Sequence, residues 1–280
     1  MRETCSLQSY RRTDGWLAHE IRHFTSLTST NDVLRELAQE GVEEGLLVLT
    51  EEQTAGRGRQ RRRWLAPPQT CLLMSLLFRP RAPFAYHASR LTMNCGLGLL
   101  AAVRETTGLP VTLKWPNDLI LERDGDWKKI AGMLSEVAGQ GPDDLIVGIG
   151  LNVNVAPAQL AELAPRATSL LAELGHPVDR RAVLATFLQR TEWLCDRLRS
   201  GWDPLSRWRE RVAWMGRSVE VITPNEVIRG VAETIDDDGA LVLRQLGGER
   251  RRFSAGDVSV RQRADAVPMS TCIDNHVSMS

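Results

Sequence analysis

The sequence predicts an α+β protein in two parts: helices interleaved with buried strands to about residue 212, then short strands alone. Three observations carry that reading. Apolar residues recur at helical spacing in Val33, Leu34, Leu37 and Ala38, in Leu91, Cys95, Leu99, Ala102 and Val103, and in Val183, Leu184, Phe187, Leu188, Leu194 and Leu198. Apolar runs at Leu46–Leu49, Cys71–Phe78 (interrupted only by Ser75) and Leu145–Ile149 read as buried strands. After Met215 the spacing changes. Val219–Ile222, Ile228–Ala232, Leu241–Leu243 and Val258–Val260 are short strand patterns separated by turns, with Asp238-Gly239 as a hairpin signal. Such spacing suits a small antiparallel barrel of about 50 residues.

Each element follows from local chemistry. Residues 1–20 are polar and irregular and are read as an N-terminal extension. Ser29, Thr30, Asn31 and Asp32 offer caps for the first helix, which Gly41 stops. Residues 51–68 are polar and Arg-rich and are broken by Gly56, Gly58, Pro67 and Pro68, so they form a loop; loops of this length are commonly functional or disordered. The second helix ends near Gly108, and Val111–Lys114 is a short strand. Leu119–Leu121 and Lys129–Val137 pair as a hairpin around the Asp124-Gly125 turn. The expected divisions are an extension at 1–20, a main α+β domain at 21–212, a small barrel at 213–262 and a disordered tail at 263–280, where apolar periodicity is lost.

Composition narrows the function classes. The 35 basic and 35 acidic residues cancel, which argues against bulk nucleic-acid binding. Cys5, Cys71, Cys95, Cys195 and Cys272 are scattered without zinc-site spacing, so reduced thiols and a cytoplasmic location are expected, with Cys71 and Cys95 in the core. No apolar run is long enough to span a bilayer and no secretory h-region is present.

Four segments carry chemistry. From Gln53 to Trp64, five arginines crowd between Arg57 and Arg63, and Gly56 and Gly58 let backbone approach a ligand. Guanidinium forks bind phosphates and carboxylates. Lys114-Trp115-Pro116-Asn117-Asp118 ends a strand with a cation and amide and carboxylate oxygens on a Pro-restricted turn. Lys129 lies on a strand that otherwise reads as buried and needs a partner or ligand, Lys128 points to the opposite face, and Gly132 marks a close approach. In Gly148-Ile149-Gly150-Leu151-Asn152-Val153-Asn154, alternate glycines leave one strand face open for a flat ligand, and Asn152 and Asn154 share a face if the strand continues. Taken singly, each segment has a bland reading: a solvated basic loop, a turn capping itself, a solvated lysine, a bulge.

Taken in order, the set Ser-Thr-Asn, Gln-x-Ala-Gly-Arg-Gly-Arg, Lys-Trp-Pro-Asn-Asp, Lys-x-x-Gly and Gly-x-Gly-x-Asn-x-Asn resembles the biotin–protein ligase family over about residues 25–155, with a weaker likeness at 214–261. The resemblance implies a mixed sheet backed by helices followed by an SH3-like barrel. It implies that ATP, with Mg2+ accompanying it and no fixed protein metal site, activates biotin for transfer to a lysine of a biotin carboxyl carrier protein of a biotin-dependent carboxylase. It places Ser29, Thr30, Asn31 and Gln53 around the ureido ring and Gly132 and Gly150 beside biotin. Arg57, Gly58 and Arg59 close over biotin and phosphates, and Lys129 holds the biotin carboxylate and α-phosphate. Trp64, Lys114, Asn117, Asn152 and Asn154 lie toward the nucleotide, and Asp118 orients the acceptor amine or takes its proton.

Two departures stand out. The family's loop usually has glycine where this chain has Arg61, and arginine where it has Gln60, so the loop is expected to take a different path or close less tightly. The stretch before Ser29 is too short for the helix-turn-helix domain of some relatives, so no operator binding is expected. A homodimer through exposed sheet edges is compatible with this reading. Competing readings are a lipoate or octanoate ligase or transferase of the same fold, a non-catalytic biotin sensor, and a nucleic-acid binder using the arginine cluster.

Overall fold

The computed structural model describes residues 7–80, 84–138, 144–255 and 259–262. Strands β1 (Leu7–Arg11) and β2 (Glu20–Phe24) precede helix α1 (Thr30–Gln39). Strands β3 (Leu47–Thr50) and β4 (Cys71–Phe78), helix α2 (Phe84–Thr107), and strands β5 (Thr112–Lys114), β6 (Asp118–Arg123), β7 (Asp126–Ala138) and β8 (Asp144–Asn152) follow. These strands form one sheet in the order β1-β2-β3-β4-β8-β7-β6-β5, in which β2 and β3 are parallel and every other pair is antiparallel. The expected mixed sheet is therefore present. Short helices α3 (Pro157–Leu163) and α4 (Leu170–Leu174) lead to α5 (Arg180–Arg199) and α6 (Leu205–Arg209).

The two faces of the sheet are covered differently. On one face α2 and α5 bury Leu72, Met74, Leu76 and Phe78 of β4 and Val147, Ile149 and Leu151 of β8. On the other, α1 sets Leu34 and Ala38 against Leu77, Ala138 and Ile146. Along that second face β4 and β8 change character beyond the start of α1. Leu77 gives way to Ser75, and Ile146 gives way to Gly148 and Gly150. Side chains two apart share a strand face, so the apolar half lies under the helix and the glycine-lined half lies open beside it.

The stretch read as an irregular extension differs from that expectation over its described part. β1 pairs with β2 as an edge strand, and Leu17 and Ala18 are fully buried. The Glu192 carboxylate accepts the Leu17 backbone N–H at 2.9 Å. An edge strand of polar residues has no apolar alternation to betray it.

The second part is a five-stranded antiparallel sheet, in the order β12-β11-β10-β9-β13. It comprises β9 (Ser218–Ile222), β10 (Val227–Ile235), β11 (Leu241–Arg244), β12 (Arg250–Phe253) and β13 (Ser259–Gln262). Strand β12 was absent from the sequence reading because three of its four residues are arginines. Its core of Val219, Val221, Leu241, Leu243 and Phe253 is continuous with the main core. The fully buried Arg90 of α2 joins the parts, pairing with Asp203 and donating to the Asp237 carbonyl at 2.8 Å. The tail expected at 263–280 lies outside the described residues. Cys71, Cys95 and Cys195 are buried free thiols, and burial pushes Cys71 up to about 11 and Cys195 up to about 12, so neither is a ready nucleophile.

The arginine loop folds back on itself. Arg57 bridges Arg63, Gly58 N–H donates to the Arg62 carbonyl at 2.8 Å, and Arg62 N–H donates to the Arg59 carbonyl at 3.2 Å. This is a two-residue turn with Gln60 and Arg61 both at φ 57°. Arg61, which stands where the family usually has glycine, nevertheless takes the positive φ that glycine favours, because the turn enforces it on both central residues. A non-glycine residue in this region costs about 1–2 kcal/mol. Arg61→Gly is therefore expected to tighten the turn, slowing hydrogen exchange at the Arg62 and Gly58 amides by about fivefold for each ~1 kcal/mol of relieved strain. Faster exchange in the variant would contradict a strained turn.

Candidate active site

A cavity of about 510 Å³ opens over the glycine-lined half of the sheet. Its floor is bare because a Cβ at Gly148 would lie 2.2 Å from Asn31 Oδ1, one at Gly150 2.5 Å from the Trp64 ring, and one at Gly132 2.7 Å from Lys129 Nζ. Gly132 and Gly150 are partners across β7 and β8, so the bare surface is continuous. The sequence reading anticipated an open strand face for a flat ligand; here the Trp64 indole lies on it.

One end of the cavity is lined by hydroxyl and amide side chains. Ser29, Thr30 and Asn31, at the start of α1, are buried. Gln53 is set beside them because its segment runs along Leu27 and Thr28, with Thr54 N–H donating to the Leu27 carbonyl and Ala55 N–H to the Thr28 carbonyl. Gln53 Oε1 accepts the Thr30 N–H at 2.9 Å. Asn31 Nδ2 donates to Glu136 Oε2 at 2.7 Å and to the Leu134 carbonyl at 3.3 Å. Glu136 also accepts Arg57 Nη2 at 3.0 Å, while Asp32 accepts the same atom at 2.6 Å, so the loop is tied down across α1 and β7.

The rest of the lining is strongly cationic. Arg57, Arg59, Arg62, Arg63, Lys114, Lys129, Arg166 and Arg261 line the cavity, and among its described lining residues Asp118 is the single carboxylate. Asp118 lies 2.6 Å from Lys129 Nζ and 3.6 Å from Lys114 Nζ. Burial alone would raise its carboxyl, but Lys129, Lys114 and Arg59 hold it below the ordinary range. Burial pushes Lys114 down by more than Asp118 restores; its ammonium sits 5.0 Å from the Trp127 ring and 5.9 Å from the Trp214 ring. Arg59 donates to Asn117 Oδ1 at 2.9 Å and to the Ala255 carbonyl, joining the loop to both the cis Trp115–Pro116 turn and the C-terminal sheet.

Of the residues named from the sequence, Ser29, Thr30, Asn31, Gln53, Arg57, Gly58, Arg59, Trp64, Lys114, Asn117, Asp118, Lys129, Gly132, Gly150 and Asn152 all line this one cavity. Asn154 does not. β8 ends at Asn152, and the Asn154 amide instead clamps the Val178 backbone, donating to its carbonyl and accepting its N–H, both at 2.9 Å. Asn152 is held by the Thr168 carbonyl at 2.9 Å. Lys129 is half-buried while Lys128 is exposed, as the strand alternation requires. The sequence reading missed Trp127, Arg166 and Arg261, which belong to the cationic lining, and Glu136, which braces the hydroxyl and amide end. Trp127 adjoins the two lysines and was within reach of the reading; Arg261 is one arginine on a distant strand with no local signal. Trp64 Nε1 is buried with no partner among the described residues, a donor a ligand oxygen could satisfy.

The comparisons with known proteins agree with this geometry. Residues 23–154 match the biotin/lipoate A/B protein ligase family, and residues 215–261 match the biotin protein ligase C-terminal domain. The chain is 34% identical over 250 residues to the biotin–[acetyl-CoA-carboxylase] ligase of Mycobacterium tuberculosis, covering 87% of this chain and 89% of that one. It is 33% identical to the bifunctional ligase/repressor BirA of Bacillus subtilis, covering 85% of this chain and 73% of that one. Among solved structures, the biotin protein ligase of Aquifex aeolicus in complex with biotin and ATP superposes with a TM-score of 0.73 at 28% identity, covering 87% of this chain and 99% of that one. With both segments matched in order and the fold shared along most of its length, the chain belongs to the biotin protein ligase family.

Proposed function

We propose that this chain joins biotin to ATP as biotinyl-5'-AMP and passes the biotinyl group to a lysine of a biotin carboxyl carrier protein. The observation that carries the reading is one cavity that joins hydroxyl and amide side chains suited to a urea ring to a cluster of Lys129, Lys114 and Arg59 around the Asp118 carboxylate. The activation step brings two anions together. A biotin carboxylate oxygen attacks the α-phosphorus, the bond to the β-phosphate oxygen breaks, and pyrophosphate leaves. Lys129, Arg57 and Arg59 offset the repulsion and the charge that grows on the phosphorus oxygens. Trp64, with its partnerless N–H, Lys114, Asn117 and Asn152 serve the nucleotide. Among the described residues no cluster of three or more metal-ligating side chains occurs, and Asp118 is engaged by two lysines. That donor set fits an Mg2+ ion carried by the phosphate oxygens, where it would supply further charge neutralisation.

In the second step the amine of the acceptor lysine attacks the activated carbonyl and AMP leaves. The arriving carboxylate and phosphate draw Lys129 away from Asp118, which frees that carboxylate for the incoming amine. Held below the ordinary carboxylate range, Asp118 is a weak base and acts chiefly by orienting the amine. Among the described residues no helix is long and apolar enough to cross a membrane.

The reading is tested by pyrophosphate release from ATP with biotin against lipoate, and by mass detection of the retained acyl-adenylate. Biotin-dependent release supports it; release with lipoate alone would transfer the assignment to that acid. Lys129→Ala is expected to lower adenylate formation at least a hundredfold, about 2.7 kcal/mol of transition-state stabilisation. Asp118→Asn is expected to slow transfer to an acceptor domain more than adenylate formation, measured by single-turnover assays on one preparation. Equal slowing of both steps would reassign Asp118 to positioning Lys129. The depressed carboxyl also gives a sign for acid stability. Its contribution is fully present above the ordinary value of 3.8 and is lost as pH falls through the lower folded-state value. Urea unfolding compared between pH 7 and pH 3 should therefore show a smaller acid loss in Asp118→Asn than in the parent chain.

A further inference from the structure

We infer that Trp214, which lies outside the cavity lining on the segment leading to the second sheet, is a positioning residue: it braces Trp127 and closes with it an aromatic box that holds the Lys114 ammonium at the cavity wall for an incoming phosphate. The inference rests on the proposed activation of an acid by ATP and extends it to a residue that touches no substrate.

Lys114 carries an under-compensated charge. It lines the cavity, yet its side chain is only 5% exposed. Asp118 lies 3.6 Å from Lys114 Nζ but 2.6 Å from Lys129 Nζ, so one anion is shared between two ammoniums. The charged groups acting on Lys114 are Asp118 of β6, Lys129 of β7 and Arg59 of the loop, and burial outweighs what Asp118 restores. Two indoles supply the rest. Lys114 Nζ lies 5.0 Å from the Trp127 ring centroid and 5.9 Å from that of Trp214, and the rings meet edge to face at 5.7 Å and 63°. An indole face attracts an ammonium within about 6 Å, more strongly when both are out of water. Trp127 is shared with the Arg166 guanidinium at 4.8 Å, whereas Trp214 serves Lys114 and packs against the shared ring.

Two costs borne at Trp214 mark its ring as the reason for the residue. Its Nε1 is buried with no hydrogen-bond partner among the described residues, and its φ of 67° lies in the region that suits glycine. A leucine or phenylalanine would avoid the first cost and a glycine the second. What tryptophan has over all three is a broad, electron-rich face. Backbone pairing delivers that face to the lysine. Leu113 N–H donates to the Arg211 carbonyl at 3.0 Å and Ala213 N–H to the Leu113 carbonyl at 2.7 Å, so residues 211–213 run beside β5 and set Trp214 next to Lys114. Backbone strain held by such pairing is a feature of functional surroundings.

The test is pyrophosphate release by the full chain at saturating biotin with ATP varied, between about pH 6 and pH 10, in the parent, Trp214→Leu and Trp214→Phe. Trp214→Leu is expected to lower kcat/KM for ATP about tenfold, the scale of a desolvated cation–π contact, while biotin binding by calorimetry stays within about threefold. Loss of the indole face disfavours the charged amine, so the alkaline fall in kcat/KM for ATP should begin at lower pH in this variant. Trp214→Phe keeps a smaller π face and should recover part of both effects. If thermal melting shows the leucine variant unfolded, a ring-fluorinated tryptophan placed at position 214 decides, since it keeps the shape and the N–H and withdraws charge from the ring face; both readouts should then move in the same direction. An alkaline limb that stays in place, equal losses in the leucine and phenylalanine variants, or equal losses toward biotin and ATP would overturn the box and leave Trp214 as core packing. Failure of the parent chain to release pyrophosphate with biotin would instead overturn the functional reading.

Discussion

The site depends on a stretch of sheet that carries no side chains. Gly132, Gly148 and Gly150 share the face that α1 covers only in part, and hypothetical Cβ atoms there would collide with Lys129, Asn31 and Trp64 at distances no real contact shows. These are three different collisions. Asn31 belongs to the hydroxyl and amide end of the cavity, Lys129 to the cationic lining, and Trp64 spans the middle. One bare patch therefore sets the depth at which all three groups lie. The cost is borne by the strands, since glycine in a strand interior gives up packing and loses entropy on folding. Long pairing of β8 with both β4 and β7 offsets that loss.

Electrostatics is arranged around the same patch. Many like charges line one cavity, and each strongly placed one is tied to an internal partner: Lys129 and Lys114 to Asp118, Arg57 to Asp32 and Glu136, Arg59 to Asn117 and a carbonyl of the C-terminal sheet. These partners hold the cations in place before any anion arrives, so less ordering remains to be done on binding. They also make the arrangement exchangeable, because an incoming carboxylate or phosphate replaces one anionic or carbonyl partner with another.

Legibility from the sequence followed the physics of each feature. Buried strands such as Cys71–Phe78 and helices such as α5 announce themselves by period, and nearly every expected element was found near its expected place. β1, β2 and β12 were not legible because each is largely polar or charged and carries no apolar alternation. Site residues were legible where several lie close together in the chain. Asn154 lies outside the cavity lining because β8 ends at Asn152 and the Asn154 amide turns to the Val178 backbone. At Arg61 the steric rule was right about cost and wrong about outcome: the backbone bonds of the turn hold both Gln60 and Arg61 at positive φ.

What stayed hidden were groups whose meaning is relational. Ser75 looked like a polar interruption of an apolar run, and nothing within that run says that it meets Thr30 and Asn31, more than forty residues earlier. Arg261 is likewise ordinary on its own strand and reaches the cavity only because Trp115, Arg90 and Arg209 dock the second sheet against the first. The two cases differ in kind. A buried hydroxyl in a strand is costly unless satisfied, so its position alone demands a partner and makes it suspicious in principle. A surface arginine costs nothing anywhere and carries no such demand. Burial of a polar group is therefore the kind of sequence-level anomaly that points toward a site, and exposed charge contributes to one silently until the fold is known.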